Sequence, residues 1–221
     1  MADVPKPLNV MTKIKEKNRS TTHSDTPEPI EKQSKSSFEQ SNFYLFTGGP
    51  GAGKTTVLEE LARQGFQVVP EVARAIIKHQ NAIGGNATHN GDRIAYCNLM
   101  LKESIEDFIA KSAINDVVFF DRGIPDLYSY SKRFCGGVND TLSHYVDQFR
   151  YNALAFLFPP WADIYCHDTE RKQDFQEAID TYYAVKAGYS ACGYQLVEVP
   201  KCSIAERIEF ILNTMSQHAV K

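Results

Sequence analysis

The apolar positions of this chain fall into two alternating patterns. Phe43-Tyr44-Leu45-Phe46-Thr47, Phe66-Gln67-Val68-Val69, Val117-Val118-Phe119-Phe120 and Gln195-Leu196-Val197-Glu198-Val199 are short apolar runs of strand type. Asp163-Ile164-Tyr165-Cys166 reads as a further strand, which makes five. Between them the apolar residues recur every three or four positions. Val57, Leu58, Leu61 and Ala62 predict a helix over Lys54–Gln64, with Gly65 placed as its stop. Ile94, Cys97, Leu101, Ile105 and Phe108 predict a long helix over Asp92–Ala113. Leu142–Leu157 and Asp174–Ala191 also read as helical, and Ser203-Ile204-Ala205-Glu206 is a capping box opening a last helix.

Strands that are apolar throughout, separated by helices, predict a parallel sheet covered on both faces. The expected fold is therefore α/β, with three layers around a five-stranded, mainly parallel sheet. The first 41 residues lack this patterning. They are rich in Lys, Glu, Ser, Thr, Pro and Gln, and too few are apolar to offset the entropy of ordering them. The expected organisation is a disordered tail over 1–41 and one domain over 42–221. Composition changes little in this picture. Hydrophobic residues are 43% and charged ones 23%, and the formal charge of −3 gives no basic field for nucleic acid. The five cysteines show no zinc spacing and no disulfide framework. Behind Met1 there is no apolar signal stretch, nor is any run long enough to cross a membrane, so the expected location is cytoplasmic.

The chemistry is concentrated after the first strand. Gly48-Gly49-Pro50-Gly51-Ala52-Gly53-Lys54-Thr55, followed by Thr56, is a phosphate-binding loop between a buried strand and a helix. Its glycines let backbone N–H groups turn toward phosphate, and the next helix presents its positive end. In such a loop Lys54 reaches the β- and γ-phosphates of ATP and the Thr55 hydroxyl binds Mg²⁺. Asp121 closes the third strand where a second magnesium ligand belongs, although an aspartate there also caps helices. Arg122 and Asp126 follow it, a cation and a second carboxylate on the same turn, and Asp126 is equally suited to cap the next helix.

No Asn/Thr-Lys-x-Asp guanine-reading motif is present, and the chain after the fifth strand leaves no room for the lid domain of a motor ATPase. A small-molecule kinase needs only the core, a substrate-side carboxylate and a short basic lid. Glu71 and Arg74 follow the second strand, whose C-terminal end lies beside the loop in a parallel sheet. Glu71 there can take the proton of an attacking hydroxyl and Arg74 can hold a polar group of the acceptor; equally, the two can be an ion pair at a helix start. Arg171, in Asp168-Thr169-Glu170-Arg171-Lys172, stands where such kinases keep the lid that neutralises developing charge, or in a plain solvated charge run.

Read together, Gly-Gly-Pro-Gly-Ala-Gly-Lys-Thr-Thr, Pro-Glu-Val-Ala-Arg, Phe-Asp-Arg-Gly-Ile-Pro-Asp, Phe-Pro-Pro-Trp with Asp-x-Glu-Arg, and Gly-Tyr-Gln-Leu-Val-Glu-Val-Pro occur in that order. The chain thereby resembles the family of AAA-type predicted ATPases and kinases, which is similar to the ribosylnicotinamide kinase domain of the bacterial NAD regulator. The resemblance runs from about Phe43 to Met215 and implies a nucleoside-kinase-like fold with a short lid. It implies nucleotide binding by Gly48 to Thr56, a magnesium role for Asp121, substrate-side roles for Glu71, Arg74 and Arg122, and a lid role for Arg171. It leaves the acceptor open.

The expected activity is transfer of the γ-phosphate of ATP to a hydroxyl of a small, nucleoside-like molecule. The alternative is a slowly hydrolysing switch that controls a protein or membrane partner. Glu71 and Arg74 separate them: in an open pocket they favour the kinase, and paired in a closed core they favour the switch. His79, His89, His144 and His167 share no metal spacing. Gly84–Gly91 reads as a substrate loop or a plain connector, and Trp161 as a base-stacking ring or a buried residue at a strand entry.

Overall fold

The computed structural model describes residues 37–165 and 175–218. Its elements in chain order are β1 (Phe38–Glu39), β2 (Phe43–Gly48), α1 (Lys54–Arg63), β3 (Gln67–Val69), α2 (Val72–Ile83), α3 (Arg93–Lys111) and β4 (Val118–Asp121). There follow α4 (Ile124–Phe134), α5 (Asp140–Gln148), β5 (Phe149–Arg150), β6 (Leu154–Phe158), a 3-10 turn at Ala162–Ile164, α6 (Phe175–Ala191), β7 (Gln195–Glu198) and α7 (Ile204–His218).

Five strands form one sheet in the order β3-β4-β2-β6-β7, and every pairing in it is parallel. All six residues of β2 are buried, which follows from helices lying on both faces. Its side chains alternate between two cores. Phe43 and Leu45 join Met100, Phe108, Leu127 and Tyr189 of α3, α4 and α6. Tyr44 and Phe46 join Leu58 and Leu61 of α1 and Ile208 and Ile211 of α7. The three-layer α/β fold expected from the sequence is the fold observed.

Three expectations are corrected. The stretch Leu142–Leu157 is not one helix: α5 ends at Gln148, and Leu154–Phe158 forms β6, paired with β2 from Leu45↔Ala155 to Gly48↔Phe158. Leu-Ala-Phe-Leu-Phe is apolar at every position, as a strand covered on both faces requires, and Pro159-Pro160 follow it. The Asn152 side chain accepts from the Leu154 N–H at 2.9 Å and sets the strand's start. Asp163-Ile164, read as a strand, lies in the 3-10 turn, and Tyr165 follows it in extended backbone. Ordered backbone also begins before Asn42. Phe38–Glu39 pairs in parallel with Phe149–Arg150, and the Phe38 ring stacks on Phe149 at 5.2 Å, so one aromatic contact anchors a segment that its polar neighbours obscured. Residues 1–36 of the tail, Cys166, His167 and the lid stretch with Arg171 lie outside the described residues.

Candidate nucleotide and acceptor site

Three parallel strands end side by side and place the chemistry. Phe46 of β2 is in register with Asp121 of β4, and Gly48 is in register with Phe158 of β6. The loop between β2 and α1 turns on glycines in the left-handed region, among them Gly51 at φ 72° and Gly53 at φ 81°. A Cβ on Gly51 would sit 2.5 Å from the Tyr165 ring, so the backbone needs glycine there for room as well as for φ. Lys54 then opens α1. It is buried, and its Nζ donates to the Gly49 carbonyl at 3.0 Å. Burial, with Arg122 nearby, lowers its pKa to about 8. A phosphate is the partner that restores the charge. Nucleotide binding above pH 8 is therefore expected to take up close to one proton, and affinity should fall as pH rises through 8 to 9. Calorimetry at pH 8.5 in buffers of different ionisation enthalpy reads this; equal heats in all buffers would contradict it.

The Thr55 hydroxyl donates to Asp121 Oδ2 at 3.2 Å. Asp121 Oδ1 is buried and has no hydrogen-bond partner among the described residues. Burial raises the Asp121 pKa, with Lys54 opposing and Glu71 adding to the rise. A hydroxyl, a carboxylate and an orphaned acceptor suit a hard cation that keeps water and phosphate oxygens as its other ligands, as Mg²⁺ does. The described residues hold no group of three or more His, Cys, Asp or Glu of the kind that binds a metal unaided.

Beyond Asp121 the chain makes a strained turn. Arg122 is a non-glycine residue at φ 70°. Two carboxylates hold it: its Nε donates to Glu71 Oε1 at 2.8 Å and its Nη1 to Asp126 Oδ1 at 3.0 Å. Between them Glu71, Asp126 and Asp121 raise the Arg122 pKa against the effect of burial. Burial alone would raise the Glu71 pKa, but Arg122 and Lys54 outweigh it and hold the carboxyl below its usual range. Arg74 Nε lies 4.0 Å from Glu71 Oε2. The helix-start pair weighed from the sequence is thus present, but the main partner of Glu71 is Arg122. Both Glu71 and Arg74 line the open cavity instead of a closed core.

Asp126 caps α4, the role weighed from the sequence, by accepting from the N–H of the N-cap residue Gly123, and it does more besides. It sits in the first turn of α4, buried, where four donors meet its carboxylate: Thr47 Oγ1 and Arg122 Nη1 on Oδ1, at 2.6 and 3.0 Å, and Tyr189 OH and the Gly123 N–H on Oδ2, at 2.6 and 3.0 Å. Burial and Asp126 push the Tyr189 phenol well above its usual range, which keeps it a donor. One carboxylate thus ties the end of β2, the strained turn, α4 and α6 together. Asp126→Asn turns an NH₂ group toward these donors and removes the charge facing Arg122. The expected cost is about 3 kcal/mol, the lower end for breaking a buried pair, because Arg122 keeps Glu71. In a chain of this size that lowers Tm by roughly 6–12 °C. A scan showing an unchanged Tm would contradict this role.

Two further residues join the site, one of them, Arg207, not legible from the sequence and the other, Trp161, weighed there as a base-stacking ring. Arg207 of α7 is buried, its Nη1 donates to the Ala52 carbonyl at 3.4 Å, and its guanidinium lies 4.4 Å from the Trp161 ring centroid. Its Nε has no partner among the described residues. Trp161 is half-buried after β6 and lines the cavity, so it is not a buried strand-entry residue. Nothing near Arg207 in the sequence signals this; only the return of α7 to the loop brings it there. The cavity that these residues share measures about 1310 Å³, more than the roughly 300–1,000 Å³ of a single small-molecule site. His79, His89 and His144 are exposed.

The family model described as an AAA domain, AAA_28, matches residues 43–207. This chain belongs to that family. No curated protein matches it. Among solved structures, NadR protein in complex with NR superposes with a TM-score of 0.61 at 17% identity, covering 80% of this chain and 51% of that one. This chain therefore spans about half the length of that protein. Thymidylate kinase from Ehrlichia chaffeensis gives 0.51 at 14% identity, covering 80% and 98%, and thymidylate kinase from Candida albicans gives 0.55 at 12%, covering 80% and 92%. These similarities establish a P-loop kinase-like fold for the AAA_28 chain. Among the described residues no helix is long and apolar enough to cross a membrane.

Proposed function

We propose that this AAA_28 protein is a phosphotransferase that moves the γ-phosphoryl group of ATP to a hydroxyl of a small, nucleoside-like acceptor. The observation that carries this reading is the second half of the cavity. A switch needs room for one nucleotide, whereas here Glu71, Arg74, Tyr96, Tyr130 and Phe134 line a continuous space beyond the phosphate loop.

The residues divide the work. The loop from Gly48 to Thr56 holds the phosphates, and Lys54 meets their charge from the start of α1. Trp161 and Arg207 form a flat wall beside the phosphate loop, suited to the base of ATP. Thr55 and Asp121 would hold Mg²⁺, which when bound neutralises charge on the phosphates. Arg122, fixed by two carboxylates, faces the position where the transferred group develops charge. Glu71 accepts the hydrogen bond of the attacking hydroxyl and orients it. Its depressed pKa makes it a weak base, which suffices where the transition state is loose and the proton leaves late. Arg74 holds the acceptor, and Arg171 remains the proposed lid cation. A compartment such as the cytoplasm, where ATP and Mg²⁺ are plentiful, suits this chemistry.

Thermal melting with a non-hydrolysable ATP analogue and Mg²⁺, screened against nucleosides, sugars and cofactor precursors, tests the reading. A compound that raises Tm further only when the analogue is present supports a second site. Stabilisation by the analogue alone, with no compound adding to it, favours the switch.

A further inference from the structure

The acceptor cavity ends in a pair of arginines that the proposed chemistry does not use. Arg93, the first residue of α3, and Arg133, near the end of α4, both line the cavity. The Arg93 guanidinium lies 5.1 Å from the Phe134 ring centroid and the Arg133 guanidinium 4.9 Å from it, so the two charges are at most 10 Å apart. Each is pinned by one hydrogen bond, Arg93 Nε to the His89 carbonyl at 2.9 Å and Arg133 Nη1 to Thr181 Oγ1 at 3.0 Å. That leaves most of the five donors of each guanidinium unused. Neither has a carboxylate within ion-pair distance among the described residues. The nearest carboxylates in sequence and helix position are engaged elsewhere: Asp92 turns back to accept from the Ala95 N–H, and Glu177, one turn before Thr181, has an interaction of its own. Beside the pair, the hydroxyl of Tyr130 is shut from solvent, lacks a partner and lines the same cavity.

We infer that this end of the cavity seats an anionic group of the acceptor. The inference rests on the phosphotransferase reading and narrows its substrate class. Arginine pairs with spare donors match the planar oxygens of carboxylates and phosphates, and two unpaired like charges at this distance are relieved by an anion between them. The geometry also sets a length. Arg133 lies nine residues beyond Ile124 on α4, about 13 Å by helical rise, and Ile124 adjoins the Arg122–Glu71 pair that handles the hydroxyl. The row Tyr96, Tyr130 and Phe134, with successive ring centroids 5.9 and 5.1 Å apart, spans the interval. The acceptor is thus a nucleotide-sized molecule with its reacting hydroxyl at one end, a flat middle, and a phosphate or carboxylate at the other.

The test compares probes that differ only in the distal acid. Adenosine carrying a phosphonomethyl group on N6 stands for the phosphate and adenosine carrying a carboxymethyl group on N6 for the carboxylate, each placing the acid across the flat base from a free 5′-hydroxyl, and N6-methyladenosine is the neutral counterpart. Each is titrated into full-length protein saturated with the ATP analogue and Mg²⁺, beside Arg93→Gln/Arg133→Gln. Both arginines are exposed, so the variant should melt as the parent does. The expected result is binding of at least one acid class ten times or more tighter than its neutral counterpart, a preference erased in the variant while analogue affinity stays the same. Which acid wins identifies the group. The inference is overturned if no acid-bearing probe outbinds its neutral counterpart, or if the variant keeps the preference. ADP formation with ATP separates the two claims. Transfer to neutral nucleosides without discrimination leaves the phosphotransferase and removes the anion seat. Arginine-dependent binding with no acceptor-dependent ADP leaves the seat and removes the phosphotransferase.

Discussion

Lys54→Ala is expected to lose Mg-ATP binding altogether while the ligand-free protein folds and melts as before. The side chain is buried at the N-terminus of α1 against the Gly49 carbonyl. Its lowered pKa, about 8 and set chiefly by burial, says that the charged ammonium is poorly accommodated until a phosphate arrives. Alanine therefore removes a group that serves the ligand and not the packing, and Tm of the free protein should move by no more than the few degrees typical of a neutral substitution. Titration with a fluorescent ATP analogue, alongside circular dichroism, checks both halves. Retained binding in the variant would take the phosphate site away from this loop, and a collapsed spectrum would mean that Lys54 supports the fold.

The second large effect concerns Glu71. Glu71→Gln keeps the size and can still accept from Arg122 through its amide oxygen, but it can neither carry charge nor take a proton. ATP affinity should stay near normal, because Lys54, Thr55 and Asp121 are untouched. Transfer to the acceptor should fall by roughly 10²-fold, the low end of the worth of a positioned general base, because the depressed pKa makes Glu71 a weak one. The carboxylate's depressed pKa sets the pH dependence: it is ionised at neutral pH, and activity should drop only as pH falls through that low value. A variant with undiminished kcat would leave Glu71 with no part beyond supporting Arg122.

Parts of this site announce themselves in the sequence because local rules dictate them. The phosphate loop needs its glycines and its Lys-Thr pair in fixed order, and a buried strand ending in Asp121 is legible from four apolar letters. What failed to read is tertiary. Leu154–Phe158 follows a helix without a glycine between them, so its five apolar residues merged with the helical pattern of α5 until the sheet claimed them. Asp126 looks like a cap residue, and only the arrival of Tyr189 from α6 and Thr47 from β2 makes it the centre of a buried network. Arg207 and Trp161 are 46 positions apart and meet because α7 returns across the sheet. Phe38 reads as part of a polar tail, since the strand and the ring it packs on, at Phe149, are 111 residues away.

The central claim is that a second molecule accepts the phosphoryl group. It is tested most directly by ADP formation from Mg-ATP, measured with and without each compound that stabilised the analogue-bound protein, using the parent and Glu71→Gln. The expected result is ADP production that depends on one acceptor, appears with an equal amount of phosphorylated acceptor, and collapses in Glu71→Gln. Slow ADP production that no acceptor changes, equal in the parent and the variant, would contradict the account.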